Sequence, residues 1–229
     1  MAAKQLTRKE LLKKEDGFIT FSNKAFNFIN DNKKQVIIGV GIFITFIIGI
    51  YGFNIYLEKK ENKAFAMLEQ IKKIYIETLN SKGFKEGYKA SQENFEQLFK
   101  KFPNSVSVKS GLIIYGNIAY FAEDYEKAVS IFQKALDNLE PDSLYKNILL
   151  SNIAYSNLMI EKEEKAMEYF EKISANNSSI MKDSAFLNLG IFYEKKGDLK
   201  NSREQFEQIA FIKGSMFASM IKEDFGLIN

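Results

Sequence analysis

The chain has 229 residues, of which 46% are hydrophobic and 27% charged, with a net charge of +3 and neither cysteine nor histidine. Without cysteine there can be no disulfide, thiolate metal site, cysteine nucleophile or lipidated cysteine, and without histidine the commonest general base and metal ligand is missing. Only two prolines, with long runs rich in Ala, Leu, Glu and Lys, predict an all-α chain with enough apolar content to fold.

Residues 1–34 hold eight Lys/Arg against four acids. Leu11, Leu12, Phe18, Phe21, Ala25, Phe28 and Ile29 recur at roughly helical spacing, with Lys24, Lys33 and Lys34 between or beyond them. Two readings stand side by side: an amphipathic helix on a membrane surface, or a weakly ordered basic tail. Next comes a run of 22 residues, 36–57, without a charge; fourteen are Ile, Leu, Val or Phe. At ~1.5 Å per residue a helix of that length spans about 33 Å, close to the ~30 Å hydrocarbon core of a bilayer. Those fourteen side chains favour insertion by about 4–8 kcal/mol. The basic head is too long for a cleavable signal, and no small-x-small site follows Leu57. Residues 35–57 are therefore expected to be a single retained transmembrane helix. Within it Gly41, Thr45 and Gly49 are spaced by four, and Gly52 follows, forming a small-residue face against which another helix can pack.

Residues 58–229 are nearly neutral, with 24 basic against 25 acidic side chains. Basic excess on the head side places the N-terminus in the cytoplasm and the large domain outside it. A domain without a basic face does not suit nucleic acid as a partner. Helical spacing of Phe65, Leu68, Ile71, Ile74 and Tyr75 extends the membrane helix into a stem that ends at Asn80-Ser81-Lys82-Gly83. A second helix is expected over residues 84–101, with Tyr88, Phe95 and Phe99 on it, and Pro103 ends it.

From there the chain repeats itself. Phe99, Phe132, Phe170 and Phe206 are separated by 33, 38 and 36 residues. Ala128, Ala166 and Ser202 stand four residues before the last three, and Gly116, Ala154 and Gly190 stand sixteen before them. Turn signals fall between, at Glu123-Asp124 and at Lys196-Gly197-Asp198, the latter a helix stop followed by an N-cap. Each unit is then two antiparallel helices, with small residues where the two touch and the phenylalanine filling the seam to the next unit. This period and these positions resemble the tetratricopeptide repeat, whose unit is about 34 residues. The best copy is residues 112–135, with Gly116, Tyr125, Ala128, Phe132 and Ala135 on pattern. Residues 184–209 keep Leu189, Gly190, Tyr193 and Phe206 with Ser202 for the usual alanine, and residues 150–173 lack the tyrosine. The expected organisation is a stem and degenerate first repeat over 58–103, with Phe95 at the small position. Three repeats follow over 104–214, and then a capping helix over 215–229 bearing Met216, Met220, Phe225 and Leu227.

In such a solenoid the first helices line a groove. The positions expected to face it are Ile113, Asn117, Tyr120 and Phe121, then Ser151, Tyr155, Leu158 and Met159, then Leu187, Ile191, Glu194 and Lys195. This surface is apolar and aromatic, lacks a Lys/Arg clamp for a terminal carboxylate, and suits apolar polypeptide segments or a partner's helix. Equally, some of these side chains could pack under the stem or the capping helix. Acid clusters such as Glu161, Glu163 and Glu164 fall on an expected inter-helix turn, no Gly-rich phosphate loop is present, and no Ser/Lys pair has a recognisable spacing with a base. The reading is of a non-enzyme with no cofactor, no metal and no small-molecule substrate.

A Phe-rich basic head, one glycine-studded span and a helical-repeat domain of about 170 residues are similar, in order and architecture, to the YfgM-like single-pass tetratricopeptide proteins. That resemblance implies a bacterial inner-membrane protein with a periplasmic domain. It also implies service as an ancillary subunit of the SecYEG translocon, with a chaperone-like role toward exported proteins. Two alternatives remain: an envelope scaffold for a division, peptidoglycan or secretion complex, and a regulator whose cytoplasmic head binds a signalling partner.

Overall fold

The computed structural model describes residues 17–140 and 143–224. These form ten helices and no strand among the described residues. The chain divides into two compact units, Met1–Glu58 and Lys59–Asn229.

In the first unit α1 covers Gly17–Asp31, and α2, Lys33–Lys82, begins after it and runs across the unit boundary. Leu11 and Leu12 lie outside the described residues, as does the side chain of Phe18. Phe21, Phe28 and Ile29 on α1 are exposed. The apolar stretch of α2 is bare on every side: Ile37, Phe43, Phe46, Ile48 and Phe53 are each at least 60% exposed. No residue of its most apolar window is buried, although α2 is long and apolar enough to cross a membrane.

The second unit takes up the rest of α2 and pairs it with α3, Phe84–Lys101. Three further pairs follow: α4, Val106–Phe121, with α5, Tyr125–Asp137; α6, Lys146–Met159, with α7, Glu163–Ala175; and α8, Lys182–Lys195, with α9, Leu199–Ala210. The seven-residue α10, Ala218–Asp224, comes last. Local chemistry sets the boundaries. The side chains of Asp124 and Asp198 accept hydrogen bonds from the amides of Lys127 and Asn201, at 3.2 Å in both cases, and so cap α5 and α9. Each turn inside the last three pairs passes through one left-handed residue: Glu123, Glu161 and Gly197, with φ of 67°, 59° and 77°. The following amide then reaches back to the carbonyl five residues earlier, from Asp124 to Ala119, Lys162 to Asn157 and Asp198 to Tyr193, at 2.9 Å each. These are helix-ending turns of one geometry repeated three times.

Ala64, Leu68 and Ile71 of α2 are buried in the same core as Phe95, Leu98, Leu112, Tyr115 and Phe132. The stem thus contributes a face to the repeat core. Glu61 fastens it: its carboxylate accepts from the amides of Val106 and Ser107 at 3.0 and 2.9 Å and from the Ser107 hydroxyl at 2.7 Å, capping α4 from outside. Burial pushes the Glu61 pKa up, but the hydrogen bonds from Ser107, Ser105 and Val106 outweigh burial and hold the carboxyl below its usual range.

Phe99 is only partly buried, whereas Phe95 is fully buried with Ser91 buried four residues before it. Phe95 is therefore the counterpart of Phe132, and the spacing becomes 37, 38 and 36. The structure thus shifts Phe95 from the expected small position to the phenylalanine position, a change of four residues or one helical turn along an amphipathic helix that carries phenylalanine at both places. At the far end Met216 and Met220 are exposed, while Phe217 and Ile221, one position on, pack with Ile209, Ala210 and Phe206. Phe225 and Leu227 lie outside the described residues.

Candidate functional site: the first-helix face and the apolar stretch of α2

Within each pair the small positions do what their spacing requires. A Cβ added to Gly116 would fall 2.5 Å from the Phe132 ring, and one added to Gly190 would fall 2.5 Å from the Phe206 ring. Ala154, Phe170, Ala128 and Ala166 are buried, as is Ser202, while Phe206 is partly so. The phenylalanine therefore closes on the small residue of its own pair and also reaches the next unit: Phe132 shares a core with Leu149 and Ile153, and Phe170 with Ala185 and Leu189. Phe132 also borders the junction beyond it, where it lines a cleft with residues of α6.

That cleft, about 180 Å³, lies between α4 and α6 and brings together Asn117, Tyr120, Phe121 and Tyr155 of the predicted groove set. The aromatic rings are ordered by one another. Tyr120 meets Phe121 and Tyr125 edge-on at 5.9 and 5.2 Å, and Phe121, 58% exposed, stacks on Phe84 at 5.7 Å. Burial raises the Tyr120 pKa, reinforced by Tyr125 and Tyr155 nearby, so its hydroxyl stays neutral across the physiological range. A second cleft of about 80 Å³ joins Leu158 and Ile191 with Phe170 and Asn188, and the Lys195–Glu163 ion pair, 3.1 Å, lies at its lining. Glu194 and Met159 are exposed.

Three groove positions stand elsewhere. Ser151 is 1% exposed, with its hydroxyl unpartnered in the interior, so it does not line the face. Ile113 is half-buried against the core, and Leu187 packs in the C-terminal cluster with Phe217. The reading that some of these side chains sit under the last helix describes Leu187. Two amides were missed. Asn152 donates to the Asn117 side chain at 3.5 Å and Asn188 donates to the Tyr155 hydroxyl at 3.1 Å, each bridging neighbouring first helices. Their separation of 36 residues, one repeat, was the signal in the sequence.

On α2, Gly41, Thr45 and Gly49 lie together on a shallow groove edged by Ile38, Ile42, Phe46 and Phe53; Gly52 is not part of its lining. The Thr45 hydroxyl donates to the Gly41 carbonyl at 2.9 Å, which satisfies it without a partner helix. A Cβ on Gly41, Gly49 or Gly52 would meet open space. Among the described residues no three His, Cys, Asp or Glu side chains are placed to hold a metal ion.

Stacked antiparallel helix pairs with small-residue crossings, and a first-helix face of aromatics and amides, define a helical-repeat scaffold that binds other proteins. Residues 27–208 match the family described as a tetratricopeptide repeat-like domain, and the chain belongs to it. No curated protein sequence matches the chain significantly. Among solved structures it is similar to the crystal structure of MamA, with 18% identity over 67% of this chain and 85% of that one and a TM-score of 0.48. It is also similar to BtubC from P. vanneervenii (14% identity, 75% and 82% of the two chains, TM-score 0.49). A third is PilF of Pseudomonas aeruginosa (18% identity, 74% and 86%, TM-score 0.46).

Proposed function

We propose that the chain is a single-pass protein of the bacterial inner membrane. In this reading residues 1–34 are cytoplasmic, residues 35–57 span the bilayer and the repeats stand in the periplasm, where they hold segments of exported polypeptides as an ancillary, chaperone-like subunit of the SecYEG translocon. The observation that carries polypeptide holding is the cleft formed by Asn117, Tyr120, Phe121 and Tyr155: apolar and aromatic, with amides at its side and no cationic clamp. Aromatic surface with a few adaptable amides accepts many sequences, whereas a clamp of fixed charges selects one terminus. The span rests on the bare apolar surface of α2, and its orientation on the basic excess before it. The small residues Gly41, Thr45, Gly49 and Gly52 are the proposed approach for a translocon helix.

Site-specific photocrosslinking tests this. Probes at Tyr120, Tyr155 and Leu158 are expected to trap many exported proteins, and probes at Gly41 and Gly49 to reach translocon helices. A single fixed adduct from the groove probes would instead assign an envelope scaffold. Proteolysis of the C-terminal tail from the cytoplasmic side would overturn the orientation.

A further inference from the structure

A cleft of about 750 Å³ opens at a different place, between the second helices α5 and α7, the start of α6 and the loops that follow each pair. It shares no residue with the first-helix clefts. Leu136, Leu139 and Leu150 give it apolar wall; Lys146 and Lys172 give it charge. Among the described residues neither lysine is in an ion pair, and the acid in the lining, Glu140, is engaged by Lys109 at 3.4 Å. Lys172 is held in place over the ring of Tyr169, 4.6 Å from its centre, and the Tyr169 hydroxyl is fixed by donating to Gln133 at 3.0 Å. Asn176, also in the lining, donates at 2.9 Å to the buried Asn147, which in turn donates to the Ile180 carbonyl at 2.9 Å. The walls are thus fixed by hydrogen bonds on two sides, while among the described residues Lys146 and Lys172 are in no ion pair.

From these features we infer that the cleft binds a small organic anion with an apolar body, the carboxylate meeting Lys146 and Lys172 and the body lying against the leucines. The volume is that of an organic ligand site and far exceeds what an inorganic anion fills. Ammonium groups beside apolar wall favour a carboxylate over its neutral amide, because the amide loses the charged hydrogen bonds and keeps only the apolar contact. Such a group can come from a free small acid or from the last residue of a polypeptide.

The test uses the full chain in nanodiscs of uncharged lipid and follows N-acetyl-leucine by saturation-transfer NMR. Saturation transfer to its methyl groups is expected, with N-acetyl-leucinamide binding at least about tenfold more weakly. Lys146→Gln with Lys172→Gln is expected to weaken N-acetyl-leucine by about tenfold or more and to leave the amide unchanged, whereas Lys73→Gln alters neither. Equal binding of acid and amide, or an acid affinity untouched by the double substitution, would overturn the proposal. An acetylated tetrapeptide ending in leucine with a free carboxylate separates the two sources. Tighter binding than N-acetyl-leucine assigns a polypeptide terminus; weaker or equal binding assigns a free acid. Groove crosslinks at Tyr120 are expected to persist in the double variant, so the two readings fail independently.

Discussion

At the scale of single residues, sterics at the pair crossings set the sharpest constraints. Gly116→Ala and Gly190→Ala each force a methyl to within 2.5 Å of a phenylalanine ring, so each is expected to destabilise the second unit by about 1–3 kcal/mol in urea titration of the full chain. The turns behave differently. Gly197 sits at φ 77° with open space around it, so Gly197→Ala meets no clash and costs about 1 kcal/mol from backbone strain alone. Glu161→Gly at the equivalent turn, φ 59°, relieves the same strain and is expected to be neutral or slightly stabilising in the same titration. Glu61 adds a pH dependence. Its carboxyl is depressed in the folded chain, so its contribution is present above the unfolded carboxylate range near pH ~4.3 and is lost as pH falls through the folded value. Glu61→Gln is expected to lower stability at pH 7 by about 0.5–2 kcal/mol, the worth of a helix cap, and the gap to the native chain to close on acidification. Thermal melts at pH 7 and pH 3 read both.

At the scale of elements, α2 is the helix with two environments. Its apolar run is wholly exposed, while Ala64, Leu68 and Ile71 are at most 3% exposed in the repeat core. Leu68→Ala is expected to cost about 2–5 kcal/mol, as for a buried leucine elsewhere, because no solvent reaches the space it leaves. A chain trimmed to begin at Lys59 keeps this helix and is expected to resist limited proteolysis. One beginning at Phe84 strips the core face of α3 and α4 and is expected to be digested. This separates a pair member from a passive stem, which would tolerate either cut.

At the scale of the whole chain, the composition and order of segments were legible without coordinates. The charge-free run of residues 36–57, the repeated helix pairs and the small-residue positions Gly116, Ala154 and Gly190 are legible in the sequence, because the 3.6-residue turn and a repeat of 33, 38 and 36 residues impose spacing on it. Register within one amphipathic helix was not legible. Phe95 and Phe99 are both aromatic, one turn apart and in ring contact with Tyr115, at 4.7 and 6.0 Å, and only packing across the stack buries Phe95 fully and leaves Phe99 partly so. The same holds at the last helix, where Phe217 and Ile221 displace Met216 and Met220 by one position. The groove was partly legible: Asn117, Tyr120, Phe121 and Tyr155 meet around one cleft, but Ser151 is turned inward and Leu187 is taken by the C-terminal cluster. The Lys146–Lys172 cleft was not legible at all, since its walls come from α5, α6 and α7 and the loops between them. Sequence alone determined that the elements are helices in a repeated arrangement, because that depends on neighbours along the chain. Which side chain each element buries, and which it leaves open to a ligand, depends on neighbours across the stack, and only the tertiary structure supplies them.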